Sequence, residues 1–134
     1  MTPPALRESA FAAAGALLLA LATALGAIGS HVMAARLDAA GLASWQTAVS
    51  FQFWHGLGLL AVAWSASRLP KSRLVPLAGA LMLAGVLLFS GSIVLARLGI
   101  TAHAGPAAPI GGSSLILSWV LLAAAWAAAL GGRR

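Results

Sequence analysis

The chain contains no cysteine and no tyrosine, and its only carboxylates are Glu8 and Asp38. Without thiols it forms no disulfide, offers no thiolate nucleophile and holds no thiolate-bound cluster. Both carboxylates fall outside the apolar segments, so paired general acid–base catalysis and a buried acidic proton relay lack raw material. No catalytic residue, metal site or required cofactor is expected on these grounds. Charge of either sign is scarce, at 7% of 134 residues, where a soluble domain carries roughly a quarter. That is too little polar surface to clothe a water-soluble globule, and an integral membrane protein is the expectation.

What is present is apolar: 61% of residues are hydrophobic. They fall into four runs, at about 10–35, 47–67, 74–98 and 109–130. Each is long enough to span a bilayer, which takes ~20 residues. The spacing predicts an all-α protein: four transmembrane helices in an antiparallel bundle, one domain over 1–134. Ser9 is placed to cap the first helix. A cleaved signal peptide is the competing reading of this run, but its apolar stretch exceeds the usual signal core of about 7–15 residues. Residues 36–46 read as a connector in which Leu37, Leu42 and Trp45 could line a short surface helix, with Trp45 at the interface. RLPKSR at 68–73 is a tight basic turn, and the Gly- and Pro-rich residues 99–108 are a loop.

The net charge of +6 comes from basic residues at segment ends, so it marks topology and anionic headgroups, not nucleic acid. Arg7, Arg68, Lys71, Arg73, Arg133 and Arg134 fall on one side of the alternating segments, and Arg36 and Arg97 on the other. Lys and Arg stay on the cytoplasmic side of short-looped membrane proteins. Both termini are therefore expected in the cytoplasm. Arg97 is expected to reach headgroups or to neutralise Asp38.

Polar groups inside a bilayer are costly and need partners or a purpose. Gln52 and His55 lie three apart on one face of the second segment, about 7–12 Å in from its expected outer end at 1.5 Å per residue. His31 ends the first segment, Ser90 and Ser92 fall in the third, and Ser113 and Ser114 open the fourth. His31, Gln52, His55, Ser90 and Ser92 form the candidate binding cluster. One role is interhelical hydrogen bonding, with Gln52 and His55 pairing to His31, a serine, or carbonyls near Gly91 and Gly111. Another is a ligand site: a lipid or quinone beside a donor or two, or haem or copper between His31 and His55. A small transporter or channel is a third.

The segment ends carry motifs: GAIGSH at 26–31, WQTAVSFQFWHGLGLL at 45–60, LLFSGSIVL at 87–95 and PIGGSSLILSWVLLA at 109–123. In order and spacing they resemble the transmembrane-protein-256 family of small inner-membrane proteins of unknown function. His31, Gln52, His55, Ser90, Gly91, Ser92, Pro109, Gly111 and Gly112 stand where that family's motifs stand. Ser30, Phe51 and Ala108 depart from its alanine, tyrosine and threonine. The resemblance implies a four-helix, multi-pass membrane fold, a place in the bacterial inner (plasma) membrane and no established activity. The leading expectation is a non-enzymatic protein acting through homo-oligomeric assembly or as an accessory subunit of a membrane complex, in contact with membrane lipids. The small-residue faces at Gly26, Ser30, Gly79 and Gly85 would serve that assembly.

Overall fold

A computed structural model describes residues 3–131. Helix α1 is Pro3–His31, followed by a 3₁₀ turn at Met33–Ala35; α2 is Ala39–Arg68 and α3 is Leu74–Val86. A π turn at Leu87–Gly91 leads into α4, Ser92–Arg97, and α5 is Ala107–Gly131. The described residues include no strand. Leu6–Ala35, Leu74–Arg97 and Ala107–Gly131 are each long and apolar enough to cross a membrane. Helix α2 matches them in length, but Gln46, Gln52 and His55 dilute its hydropathy.

Helix α2 begins at Ala39, within the expected connector, because Asp38 caps it. The Asp38 backbone is extended and its Oδ1 accepts from the Gly41 N–H at 2.7 Å, satisfying one of the orphan donors of a helix start. Asp38 is thereby engaged, and no ion pair with Arg97 forms; the Arg97 guanidinium instead reaches the Ser44 hydroxyl at 3.4 Å. Helix α1 begins at Pro3, so Ser9 lies inside the helix and does not cap it. Helix α4 ends in a Schellman motif: Gly99 takes φ +74°, its N–H donates to the Ala96 carbonyl at 3.1 Å, and the Ile100 N–H donates to Leu95 at 3.0 Å. Arg133 and Arg134, part of the charge argument above, lie outside the described residues.

Packing follows from the spacing of inward residues. On α2 they are Gly41, Trp45, Ala48, Gln52, His55, Leu59 and Val62, in alternating steps of four and three. On α5 they are Gly111, Leu115, Ser118, Leu122 and Ala125, with the same alternation. This 3.5-residue average is the seam of left-handed helix packing at shallow crossing angles. Helix α1 pairs with α2 and α3 with α5, while α2 against α3 joins the two hairpins. Leu18, Leu59, Val62, Met82 and Leu122 meet in the shared core.

Each hairpin closes on a glycine pair. A methyl on Gly15 would stand 2.7 Å from the Gly56 carbonyl oxygen, and one on Gly56 would stand 3.2 Å from that of Gly15. Across α3 and α5, a methyl on Gly111 would lie 2.7 Å from the Gly85 carbonyl and 2.5 Å from the Phe89 backbone nitrogen. Only glycine lets backbones approach this closely, and such contacts hold helices together where no hydrophobic drive exists between them.

The π turn interrupts what reads in sequence as one continuous third span. Val75, Ala78, Met82 and Gly85 face inward with steps of three and four, and the inward face then continues through Val86, Ser90 and Val94. One extra residue in the turn rotates the helix beyond it. That rotation brings Val94 into a second small core with Met33, Trp45 and Ala48, where α1 gives way to α2.

Candidate functional site

The expected cluster divides along the membrane normal. Because α2 begins at Ala39, Gln52 and His55 lie near the middle of this 30-residue helix, about 20–24 Å from its first residue. His31 is exposed at the C-terminal end of α1. Gly29 packs on Trp45 while Gly15 packs on Gly56, so His31 and His55 are separated along the antiparallel pair by roughly 18–23 Å. The structure does not bring the two imidazoles together. Among the described residues no three His, Asp or Glu side chains stand close enough to hold a metal ion.

Gln52 is the residue that crosses between helices. It is buried, and its Nε2 donates to the Leu18 carbonyl of α1 at 3.1 Å. A carbonyl only accepts, which fixes the amide nitrogen on that side and turns Oε1 the other way. His55 is also buried, but its Nδ1 lies 2.6 Å from the Phe51 carbonyl on its own helix. The Nδ1–H is therefore the donor and Nε2 the free lone pair. The partner expected on another helix is not there. Instead the imidazole stacks beside Phe51, with ring centroids 5.7 Å apart, and lies 6.2 Å from Trp119 of α5. Phe51 in turn packs at 4.5 Å on Phe89 of the π turn. Four rings from three elements thus fill the mid-depth space between α2, the π turn and α5.

The serines split by role. Ser114 donates across to the Leu81 carbonyl of α3 at 2.8 Å. Ser92 and Ser113 bond back to carbonyls of their own segments, Phe89 at 3.1 Å and Pro109 at 2.9 Å. Ser90, in the π turn, is 1% exposed and its hydroxyl has no partner. Unpaired buried hydroxyls are rare in native structures and cost about 1–3 kcal/mol.

Two further interhelical links come from tryptophans, one of them Trp45, which the sequence suggested for the interface. Trp45 is 1% exposed and its Nε1 donates to the Leu25 carbonyl of α1 at 3.0 Å. Trp126 donates to the buried Ser65 hydroxyl at 3.1 Å and stacks on Trp64 at 5.2 Å. The available signal was spacing: Trp45 falls three residues before Ala48 and seven before Gln52 on the α2 seam.

Two cavities adjoin these residues. Between α1, α2 and the π turn lies an open-sided groove of about 290 Å³, walled by aliphatic side chains with Gln52 its one polar residue. Between the start of α2 and the end of α4 a pocket of about 210 Å³ is lined by Ser44, Arg97 and His103 among others. The lining of the groove is what a bilayer would offer, save for one amide.

The comparisons place the chain among bacterial membrane proteins. It is 36% identical over 111 residues to the UPF0382 membrane protein YwdK of Bacillus subtilis, covering 83% of this chain and 90% of that protein. It is 36% identical over 108 residues to a UPF0382 membrane protein of Staphylococcus saprophyticus, covering 81% and 88%. A Staphylococcus epidermidis relative is 34% identical over 108 residues, covering 81% and 87%. No solved structure matches the chain. The family described as "Protein of unknown function (DUF423)" matches residues 25–112, the part that holds Gln52, His55, the π turn and the Gly85–Gly111 crossing; with these full-length relatives, the chain belongs to that family of membrane proteins of unknown function.

Proposed function

We propose that the protein is a four-crossing protein of the bacterial inner membrane, with both termini cytoplasmic, that acts without catalysis by pairing with a second copy of itself. Kinship with the transmembrane-protein-256 family, whose motifs its segment ends resemble, belongs to the same reading. Four crossings are supported by the length of α2 and its place between α1 and α3, and the orientation by the basic turn at 68–73.

One observation carries the pairing. The outward face of α2 bears Trp54, Leu57, Ala61 and Trp64, the same alternation of four and three that marks the internal seams. Trp54 is 63% exposed and lies near mid-helix, away from the interfaces that tryptophan favours. Its indole N–H has no acceptor in hydrocarbon, and a neighbouring helix would supply one. The small-residue faces serve otherwise: Gly79 packs on Phe11 and Val62, Gly85 on Leu115 and Gly111, and Gly26 on Val49, all within the chain. Only Ser30 remains outward, bonded back to the Gly26 carbonyl at 3.2 Å.

The native chain has no cysteine, so one introduced thiol reports cleanly. Oxidative cross-linking in native membranes is expected to give a disulfide-linked dimer with Leu57→Cys and none with Leu17→Cys, which is exposed on α1. Equal cross-linking at both positions, or none at Leu57→Cys, would remove the pairing.

A further inference from the structure

The turn between α2 and α3 faces the end of α5 across an open cavity. Its shape is set by Pro70, which cannot continue a helix, and by the Ser72 N–H, which donates to the Leu69 carbonyl at 2.9 Å. Arg68, Lys71 and Ser72 line one side of a space of about 390 Å³, and Ala125, Ala128 and Ala129 of α5 line the other. Helix α5 reads AAAWAAAL over 123–130. Its methyls leave open a space that longer side chains would fill.

The cationic side of this cavity is held in place. The Arg68 guanidinium lies over the Trp64 ring, 5.5 Å from its centroid. Trp64 stacks on Trp126 of α5 at 5.2 Å, and the Trp126 Nε1 donates to the Ser65 hydroxyl at 3.1 Å. A guanidinium on an aromatic face is attracted to it and keeps its N–H donors free at its edge. No carboxylate balances this charge. The chain has two, Glu8 and Asp38. Asp38 caps the opposite end of α2, and Glu8 lines a separate cavity with Arg7 and Phe11, on the side of the turn that faces α1.

Depth and lining together select the occupant. Leu74–Arg97 and Ala107–Gly131 are each long and apolar enough to cross a membrane. The cavity lies where the first begins and the second ends, at the level of lipid headgroups, with the buried Ala125 as its apolar floor. Two cations beside an apolar wall suit a molecule that joins an anionic group to a hydrocarbon chain. Inorganic phosphate would satisfy the cations and leave the wall bare. A zwitterionic lipid would bring an ammonium group that Arg68 and Lys71 repel.

We propose that this cavity holds one anionic phospholipid, its phosphodiester on Arg68 and Lys71 and one acyl chain along Ala125, Ala128 and Ala129. The site requires neither the pairing of two copies nor a particular orientation in the membrane.

The test is native mass spectrometry of the full-length protein in mild detergent, with phosphatidylglycerol and phosphatidylcholine of one chain length supplied in equal amounts. One phosphatidylglycerol per chain is expected to be retained, with a preference of roughly 25-fold from two cations at about fivefold each. Millimolar inorganic phosphate is expected not to displace it. Arg68→Gln and Lys71→Gln are each expected to lower the preference to about fivefold. Arg73→Gln removes a charge from the same turn but not from the cavity lining, and is expected to leave the preference unchanged. Ala128→Leu, at an exposed position on the apolar wall, is expected to lose the bound lipid at unchanged net charge and thermal stability. Equal retention of the two lipids, displacement by inorganic phosphate, equal losses from Arg73→Gln and Arg68→Gln, or full retention by Ala128→Leu would each overturn the proposal.

Discussion

Gln52 and His55 differ in what their removal would leave behind. Gln52→Leu takes away a bond between α1 and α2, and the expected cost is about 0.6–1.7 kcal/mol, the range of interhelical hydrogen bonds in membranes. His55→Leu takes away a bond to a carbonyl of its own helix, where the backbone ladder already occupies the Phe51 oxygen, so its cost should be smaller. Trp45→Phe, which keeps the ring and deletes the donor to Leu25, should cost about 1 kcal/mol. Reversible unfolding in mixed detergent and SDS would rank the three, and a His55→Leu loss larger than that of Gln52→Leu would contradict the assignment. The sequence made the importance of position 52 readable, because an amide in an apolar run needs a partner. It left the partner of His55 open, since imidazole can bond back to its own helix or across, and only the backbone register decides. Trp45 is ambiguous for a related reason: an indole suits an interface or a buried donor equally, and only its spacing from Ala48 and Gln52 marks it as inward.

At the scale of the elements, the glycines divide into those held by backbone and those that are not. Gly111→Ala places a methyl against the Phe89 nitrogen and the Gly85 carbonyl; neither can swing aside, and overpacking of this kind costs about 1–3 kcal/mol. Gly91→Ala meets nothing and replaces a poor helix former, so no loss and a gain of up to about 1 kcal/mol are expected. Thermal denaturation of both variants in one detergent checks the contrast; equal losses would mean that the α3–α5 crossing is not as close as described. Small residues near Gly85 and Gly111 were visible in the sequence as packing signals. Which glycine met which was not, because that depends on helix register. The π turn was hidden as well: FSGS in an apolar run looks like unbroken helix, and the shift of the inward face from Gly85 to Val86, Ser90 and Val94 shows only once the neighbours are known. Residues 36–46 look like a connector when Asp38 is taken as a charge opposite Arg97, but an acid three residues before Gly41 is also a helix cap, and α2 starts at Ala39.

For the whole molecule, the apolar runs and their order were legible because roughly 20-residue hydrophobic stretches have few other uses. Helix α2 is where length and hydropathy disagree: it has 30 residues but is diluted by the polar side chains that join it to its neighbours. The polar side chains lie on its inward seam, where Gln52 faces α1 and His55 is buried beside aromatic rings, leaving Phe53, Trp54, Leu57 and Leu60 outward. If α2 crosses the membrane, the turn at 68–73 and the loop at 99–106 lie on opposite sides. Single-cysteine labelling of intact spheroplasts with a membrane-impermeant maleimide measures this directly, as the chain has no thiol of its own. Thr101→Cys is expected to label from outside, and Ser72→Cys only after permeabilisation. Labelling of Ser72→Cys from outside, or labelling of both positions from one side, would contradict a crossing by α2 in this orientation.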